Sequence, residues 1–179
     1  MIVGVVSDTH LSPLKRIDGN FSFEDLCRDD NLRNFYDIIK PHFRDVDAVI
    51  HAGDILDLTV VTVLKHFGEV YAVSGNMDPG AVKKTLPDKK VVKLAGFNIG
   101  ITHGSGAPDG LSFKVRRKFS GENVDCIVFG HSHQPYDRVE DGILMFNPGS
   151  ALDTRFAAGR TIGILHLEDR IWGEHIFLG

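Results

Sequence analysis

At 179 residues the chain has the length of one domain, and a chain of that size buries about 70 % of its unfolded surface without disulfide staples. A hydrophobic content of 42 % beside 25 % charge excludes a disordered or collagenous chain, and a net charge of −4 leaves no global positive field to draw a long nucleic acid. No apolar run approaches the about 20 residues of a membrane span, no basic region precedes the N-terminal apolar stretch, and two cysteines, Cys27 and Cys126, cannot form a disulfide framework. A single soluble domain over 1–179 in a reducing, cytoplasmic setting is expected.

Met1–Val6 is an unbroken, β-branched apolar run that stops at Ser7-Asp8 and reads as a strand buried on both faces. Leu11–Asp30 is polar and irregular, with Ser22-x-x-Asp25 marking the start of a short helix. Asn31–Phe43 places Leu32, Phe35, Ile38, Ile39 and Phe43 on one helical face. Asp47–Ile50 is a second buried strand, Leu56–Phe67 a helix ended by Gly68, and Glu69–Val73 a third strand. This β-α-β-α-β order predicts a parallel sheet with right-handed crossovers. Beyond Pro87, Val91–Leu94 and Asn98–Thr102 flank Ala95-Gly96-Phe97 as a hairpin. Leu111–Phe119 is a basic amphipathic helix and Asp125–Phe129 a buried strand. Two hairpins follow: Tyr136–Val139 with Ile143–Phe146, and Thr161–Leu167 with Ile171–Leu178. The sum is an α/β chain of two packed mixed sheets with helices outside, whose hairpin edges are free to pair into a homo-oligomer.

The nine histidines are the compositional outlier. Several stand, with acidic residues, where strands end: Asp8-Thr9-His10, Gly53-Asp54, Gly75-Asn76-Met77-Asp78, His103-Gly104 and Gly130-His131-Ser132-His133. In open α/β sheets ligands gather outside the carboxyl ends of the strands, so five segments remote in sequence converge on one crevice. The candidate ligands are Asp8, His10, Asp54, Asn76, His103, His131 and His133. This oxygen and imidazole set, without thiolate, suits Mn, Fe, Co, Ni or Zn better than Ca or Mg. Seven side chains exceed what one such ion with an open position takes. Two ions sharing a carboxylate fit better, with Asp54 as the bridge. Ions paired about 3.5–4 Å apart are the hallmark of phosphoester hydrolysis, where they acidify a bridging water and clamp the oxygens of an in-line displacement.

The series Asp8-x-His10, Gly53-Asp54, Gly75-Asn76, His103 and Gly130-His131-x-His133 resembles the calcineurin-like metallophosphoesterases, most of all their small single-domain phosphodiesterase branch. Five blocks in order are specific where each alone is weak. The resemblance implies a four-layer αββα sandwich of two mixed sheets. It also implies that Asp8, His10, Asp54 and His133 hold one ion and Asp54, Asn76, His103 and His131 the other. Many members follow the Gly-Asn pair with a His that protonates the leaving group, oriented by the next acidic residue. Here the position is Met77, whose thioether has no proton to give, followed by Asp78. The Leu11–Asp30 segment is longer than in compact relatives and, starting at the mouth of the crevice, reads as a partial lid.

Other residues have blander readings. His51, inside an apolar strand, reads as a buried supporting histidine rather than a ligand; His42, His66, His166 and His175 lack motif context. Lys114, Arg116, Arg117 and Lys118 read as a solvated basic face. The Asn147-Pro148-Gly149-Ser150 turn is placed near the metals by the resemblance, and Arg155 is open to a phosphate or a surface carboxylate. The expected protein is a dinuclear, metal-dependent phosphodiesterase using two divalent transition-metal ions, manganese first among them. It hydrolyses small phosphodiesters or nucleotides by attack of a metal-bridging hydroxide, with Asp54, Asn76 and His10 as the catalytic residues. The rival reading is a non-catalytic protein-interaction module on the same fold, as in a retromer subunit that has lost metal ligands.

Overall fold

The computed structural model describes residues 1–14, 22–153 and 159–178. Ten strands form two five-stranded sheets. The first has the order β10-β9-β1-β2-β3, built from β1 (Ile2–Val6), β2 (Ala48–His51), β3 (Glu69–Ala72), β9 (Thr161–Leu167) and β10 (Ile171–Phe177). The second has the order β4-β5-β6-β8-β7, built from β4 (Lys89–Leu94), β5 (Phe97–Thr102), β6 (Cys126–Val128), β7 (Pro135–Glu140) and β8 (Ile143–Pro148). Each sheet has a parallel trio, β1-β2-β3 and β5-β6-β8, flanked by antiparallel strands. The parallel trios point all six carboxyl ends toward the candidate ligands and their supporting turns.

Strand alternation produces the layers. Val3 and Val5 of β1, with Ile50 of β2, face Ile99, Ile101, Val128, Leu144 and Phe146 of the other sheet in one buried core. The intervening Val6 and Val49 face the opposite way, onto α2 (Asp30–Phe43) and α3 (Thr59–Leu64), where Leu32, Phe35, Ile39, Phe43 and Val63 are buried. Ile127 and Met145 face outward from the second sheet onto Leu111, Val115 and Phe119 along and just beyond α5 (Leu111–Lys118). Three cores separating four layers are the expected αββα sandwich.

Local chemistry sets the boundaries. Ser22 and Asp25 exchange side-chain and backbone hydrogen bonds at the start of α1 (Phe23–Arg28), the reciprocal box read from the sequence. Asp29 caps α2 by accepting from the amides of Asn31 and Leu32. The helix expected over Leu56–Phe67 is shorter at both ends. Leu56 is left-handed at φ 70°, with its amide held by Asp78, and the amides of His66 and Phe67 close tight turns onto residues three back. A further helix, α4 (Gly80–Thr85), carries no sequence signal because Val82 is its buried side chain and no stripe exists to read. The hairpin turns Ala95-Gly96 and Asp141-Gly142 have positive φ at both residues, as two-residue turns demand. Cys126 is a free, buried thiol. Residues 15–21, seven of the twenty in the expected lid, Arg155 and the Cys27 side chain lie outside the described residues. Among the described residues no helix is long and apolar enough to cross a membrane.

Candidate metal centre

Five of the six parallel strand ends bring the predicted ligands to one edge of the sandwich. Asp8 and His10 follow β1, Asp54 follows β2, Asn76 follows β3, His103 follows β5, and His131 and His133 follow β6. Asp8 is fully buried; its Oδ2 accepts from the Ser7 hydroxyl at 2.7 Å and the His131 amide at 2.9 Å. Its Oδ1 points toward three imidazoles, 3.2 Å from His133 Nε2, 3.7 Å from His103 Nε2 and 4.0 Å from His10 Nε2. Asp54 Oδ1 accepts from the Met77 amide at 2.8 Å, while Oδ2 lies 3.2 Å from His103 Nε2 and 3.7 Å from His10 Nε2. The ligand atoms cluster as two triads, Asp8–His10–His133 and Asp8–Asp54–His103. Asp8 belongs to both, and Asp54 Oδ2 also reaches a histidine of each. Asn76 and His131 stand outside these triads and face each other, Oδ1 to Nδ1, at 2.9 Å.

The donor set fits a cation. His103 Nδ1–H donates to the Ala52 carbonyl at 2.8 Å, so the neutral ring turns its Nε2 lone pair toward both carboxylates. His131 Nε2–H likewise donates to the Gly106 carbonyl at 2.7 Å, which leaves Nδ1 facing Asn76. Asp8 Oδ1 and His103 Nε2 are buried atoms with no hydrogen-bond partner of acceptable geometry. Buried acceptors converging without a donor are costly unless a positive charge settles between them. Burial works against ionisation of His103 and His133, yet the neighbouring carboxylates of Asp54 and Asp8 raise both rings above their ordinary range. Burial works to raise Asp8 and Asp54, but His133 and His103 respectively outweigh it and hold both carboxyls low.

The backbone is strained where the ligands sit. Asp8, His10, Asp54, His131 and His133 all adopt positive φ, between 45° and 74°. Each such residue costs roughly 1–2 kcal/mol relative to glycine, a cost tolerated where surrounding structure over-determines the conformation. That structure is visible. Ser150 donates its hydroxyl to the Asp8 carbonyl at 2.8 Å, and Asn147 donates to the Gly130 carbonyl at 2.9 Å and the Ser132 hydroxyl at 3.1 Å. His175 donates to the Asn147 carbonyl at 2.7 Å while stacking on Phe146. His51 is buried and neutral, its ring pushed down to about 3 chiefly by burial; it accepts from the Gly53 amide and meets the Thr9 hydroxyl at 3.0 Å. Asp78 spends both oxygens on backbone, accepting from the Leu56 and Gly75 amides at 2.7 Å each, and so ties the loop after β2 to the loop after β3.

Sequence reasoning missed Asp153. Its Oδ2 lies 3.2 Å from His133 Nδ1, on the ring edge opposite Asp8, and its amide is held by Ser150. A carboxylate behind a ligating imidazole fixes the ring and raises its basicity. Asp153→Asn is expected to weaken divalent-metal affinity by about 10–100-fold, measured by competition with a metal indicator, with little change in thermal stability.

Beside the candidate ligands, His10 among them, Met77, Pro108, Ser132 and Gln134 help to line a pocket of about 490 Å³. Met77 is 60 % exposed on its rim.

Comparison with known proteins finds relatives along nearly the whole chain. The model of the calcineurin-like phosphoesterase superfamily domain matches residues 1–170. A probable metallophosphoesterase of Methanocaldococcus jannaschii is 34 % identical over 173 residues, 96 % of this chain and 78 % of that protein. A phosphodiesterase of the same organism is 26 % identical over 189 residues, 97 % of this chain and 98 % of the other. Among solved structures, Vps29 of Entamoeba histolytica complexed with zinc aligns with TM-score 0.62 over 100 % of both chains at 20 % identity, a likeness of fold alone. With the family pattern running through nearly the whole chain and its fold reproduced layer by layer, this protein belongs to the calcineurin-like phosphoesterase superfamily.

Proposed function

We propose that the chain is a dinuclear metal-dependent phosphodiesterase acting on small phosphodiesters, including nucleotides. The observation that carries the reading is the convergence of Asp8 Oδ1, Asp54 Oδ2 and the His103 Nε2 lone pair without a donor among them. Asp8, His10, Asp54 and His133 would hold one divalent ion, and Asp54, Asn76, His103 and His131 the second. Manganese is favoured over Fe, Co, Ni and Zn. When bound, such ions supply Lewis acidity, which lowers the pKa of water to near neutrality and neutralises charge on phosphoryl oxygens.

The chain's own groups do the rest. Asp54 orients both halves of the site, and the Asn76 amide offers a donor to a phosphoryl oxygen. His10, with a side chain 19 % exposed beside the pocket, would hold the ion through one ring nitrogen and pass a proton to the leaving group from the other. The filled ligand positions argue against the rival reading, a protein-interaction module without catalysis. The buried thiol of Cys126 suits a reducing, cytoplasmic setting.

The deciding experiment reconstitutes the purified chain with manganese and assays phosphomonoesters, linear diesters and cyclic nucleotides. Metal-dependent turnover favouring diesters is expected. A chain that carries its metal and hydrolyses none of them contradicts the proposal.

Met77 makes a finer test. Met77→His places an imidazole on the pocket rim, but Asp78 is already committed to two amides and cannot orient it. The gain is expected to reach only about tenfold, below the usual 10²–10⁴ for general acid catalysis. It should appear on alkyl diesters and be absent on p-nitrophenyl diesters, whose leaving group needs no proton; an equal effect on both refutes the missing-acid argument.

A further inference from the structure

A second cavity, of about 500 Å³, opens beside the metal pocket between α4 and the loop after β5. Asn76 lines both cavities, so the two meet at a candidate ligand. On the far side of Asn76 the lining is His103, Ser105, Lys83, Lys118 and Asp88. The lysines are held by neutral acceptors: Lys83 Nζ donates to the Asn76 carbonyl at 2.8 Å, and Lys118 Nζ to the Thr102 hydroxyl at 3.1 Å. Among the described residues neither has a carboxylate within ion-pair distance, although nearby cations do find partners. Arg116 pairs with Asp141, Lys89 with Glu122, and Arg117 lies over the Phe113 ring. The basic run on α5 is therefore two populations. Lys118 turns to the groove, and Lys114, four residues earlier on the same face, reaches the Ala107 carbonyl at 3.4 Å.

Two exposed ammonium groups, neither in an ion pair among the described residues, share one concave site on a chain of net charge −4. Asp88 offsets one of them, leaving the groove mildly cationic. We infer that this groove seats a second, non-reacting phosphate of the substrate, one that lies beyond Asn76 while the scissile phosphate occupies the metal pocket. The inference rests on the phosphodiesterase reading and narrows it to diesters bearing a further terminal phosphate, such as short phosphorylated nucleotides. Lysine suits the task, because its ammonium is a point charge with three donors for tetrahedral oxygens. The seat adds binding energy remote from the reacting bond.

Isothermal titration of the manganese-loaded full chain with thymidine 3′,5′-bisphosphate and thymidine 5′-monophosphate tests the seat without requiring turnover. The bisphosphate is expected to bind roughly tenfold more tightly, the size of a charge-assisted contact at a partly solvated site. Lys118→Gln should reduce the ratio, and Lys83→Gln with Lys118→Gln should bring it to within about twofold of unity. Lys118→Arg, which keeps the charge, should preserve most of it. A ratio near one in the unmodified chain, or one that survives the double substitution, overturns the seat. Hydrolysis of bis(p-nitrophenyl) phosphate by the same samples separates the two claims: turnover with a ratio near one removes the seat and leaves the enzyme. A tenfold ratio without turnover of any diester removes the enzyme and leaves the seat.

Discussion

Replacing Asp54 by alanine is expected to lower kcat/KM on bis(p-nitrophenyl) phosphate by about 10³-fold or more in manganese-loaded protein. The Asp54 carboxylate stands between the two halves of the centre, with Oδ2 at 3.2 Å from His103 and 3.7 Å from His10. Without it both halves lose an anionic ligand. Lewis-acid stabilisation of the transition state is worth several kcal/mol, and each 1.36 kcal/mol is tenfold in rate. The fold should survive. The substitution strands the Met77 amide, which Asp54 Oδ1 now accepts, at a cost of about 1–3 kcal/mol, against the about 5–15 kcal/mol by which domains of this kind are stable. Asp8→Ala should behave alike, since Oδ1 faces three histidines and Oδ2 holds Ser7 and His131. Circular dichroism melts beside the kinetics distinguish a lost site from a lost fold, and full activity in either variant ends the dinuclear account.

Gly75→Ala, a change of one methyl group in a residue that ligates nothing, is expected to be nearly as damaging. A Cβ at Gly75 would lie 2.1 Å from Asp54 Oδ1 and 2.4 Å from the Asp54 amide nitrogen. Backbone cannot yield as a flexible side chain does, so the loop after β2 must move and carry Asp54 with it. Overpacking of this kind costs roughly 1–3 kcal/mol of stability. Displacing a reacting-site group by about 1 Å costs on the order of 10² in rate, so activity should fall about 10²-fold even where the variant is fully folded. Gly80→Ala, five residues later, meets nothing within 4 Å and serves as the control, with melting point and activity both retained. Wild-type activity in Gly75→Ala would show that the close approach of the two loops does not position Asp54.

The same pair of loops shows what was legible in the sequence. Glycine before Asn76 announced a turn, but the need for its missing side chain arises from a loop 21 positions away and is a tertiary fact. Strands β1, β2 and β6 were readable because apolar runs buried on both faces leave an unbroken pattern, and the hairpin at Asp141-Gly142 because its turn residues tolerate positive φ. The convergence of seven remote residues followed from the rule that parallel strands end on one edge. The positive φ at five of those residues did not, since Asp and His tolerate that conformation without requiring it. Asp78 was placed by resemblance as a partner for an absent histidine, whereas it clamps two backbone amides. Asp153 had no motif: its place behind His133 depends on Ser150, whose hydroxyl holds both the Asp8 carbonyl and the Asp153 amide. The basic run on α5 was read as one solvated face because residue types do not say which rows of a short helix meet a loop.

All of this turns on whether the seven side chains seat neighbouring cations. The most direct measurement is a crystal structure of the chain soaked in manganese, with anomalous scattering used to place and count the ions. Two peaks are predicted about 3.5–4 Å apart, contacting Asp8, His10, Asp54 and His133 on one side and Asp54, Asn76, His103 and His131 on the other. A single peak, or ions bound elsewhere while these side chains face away from one another, would contradict the account.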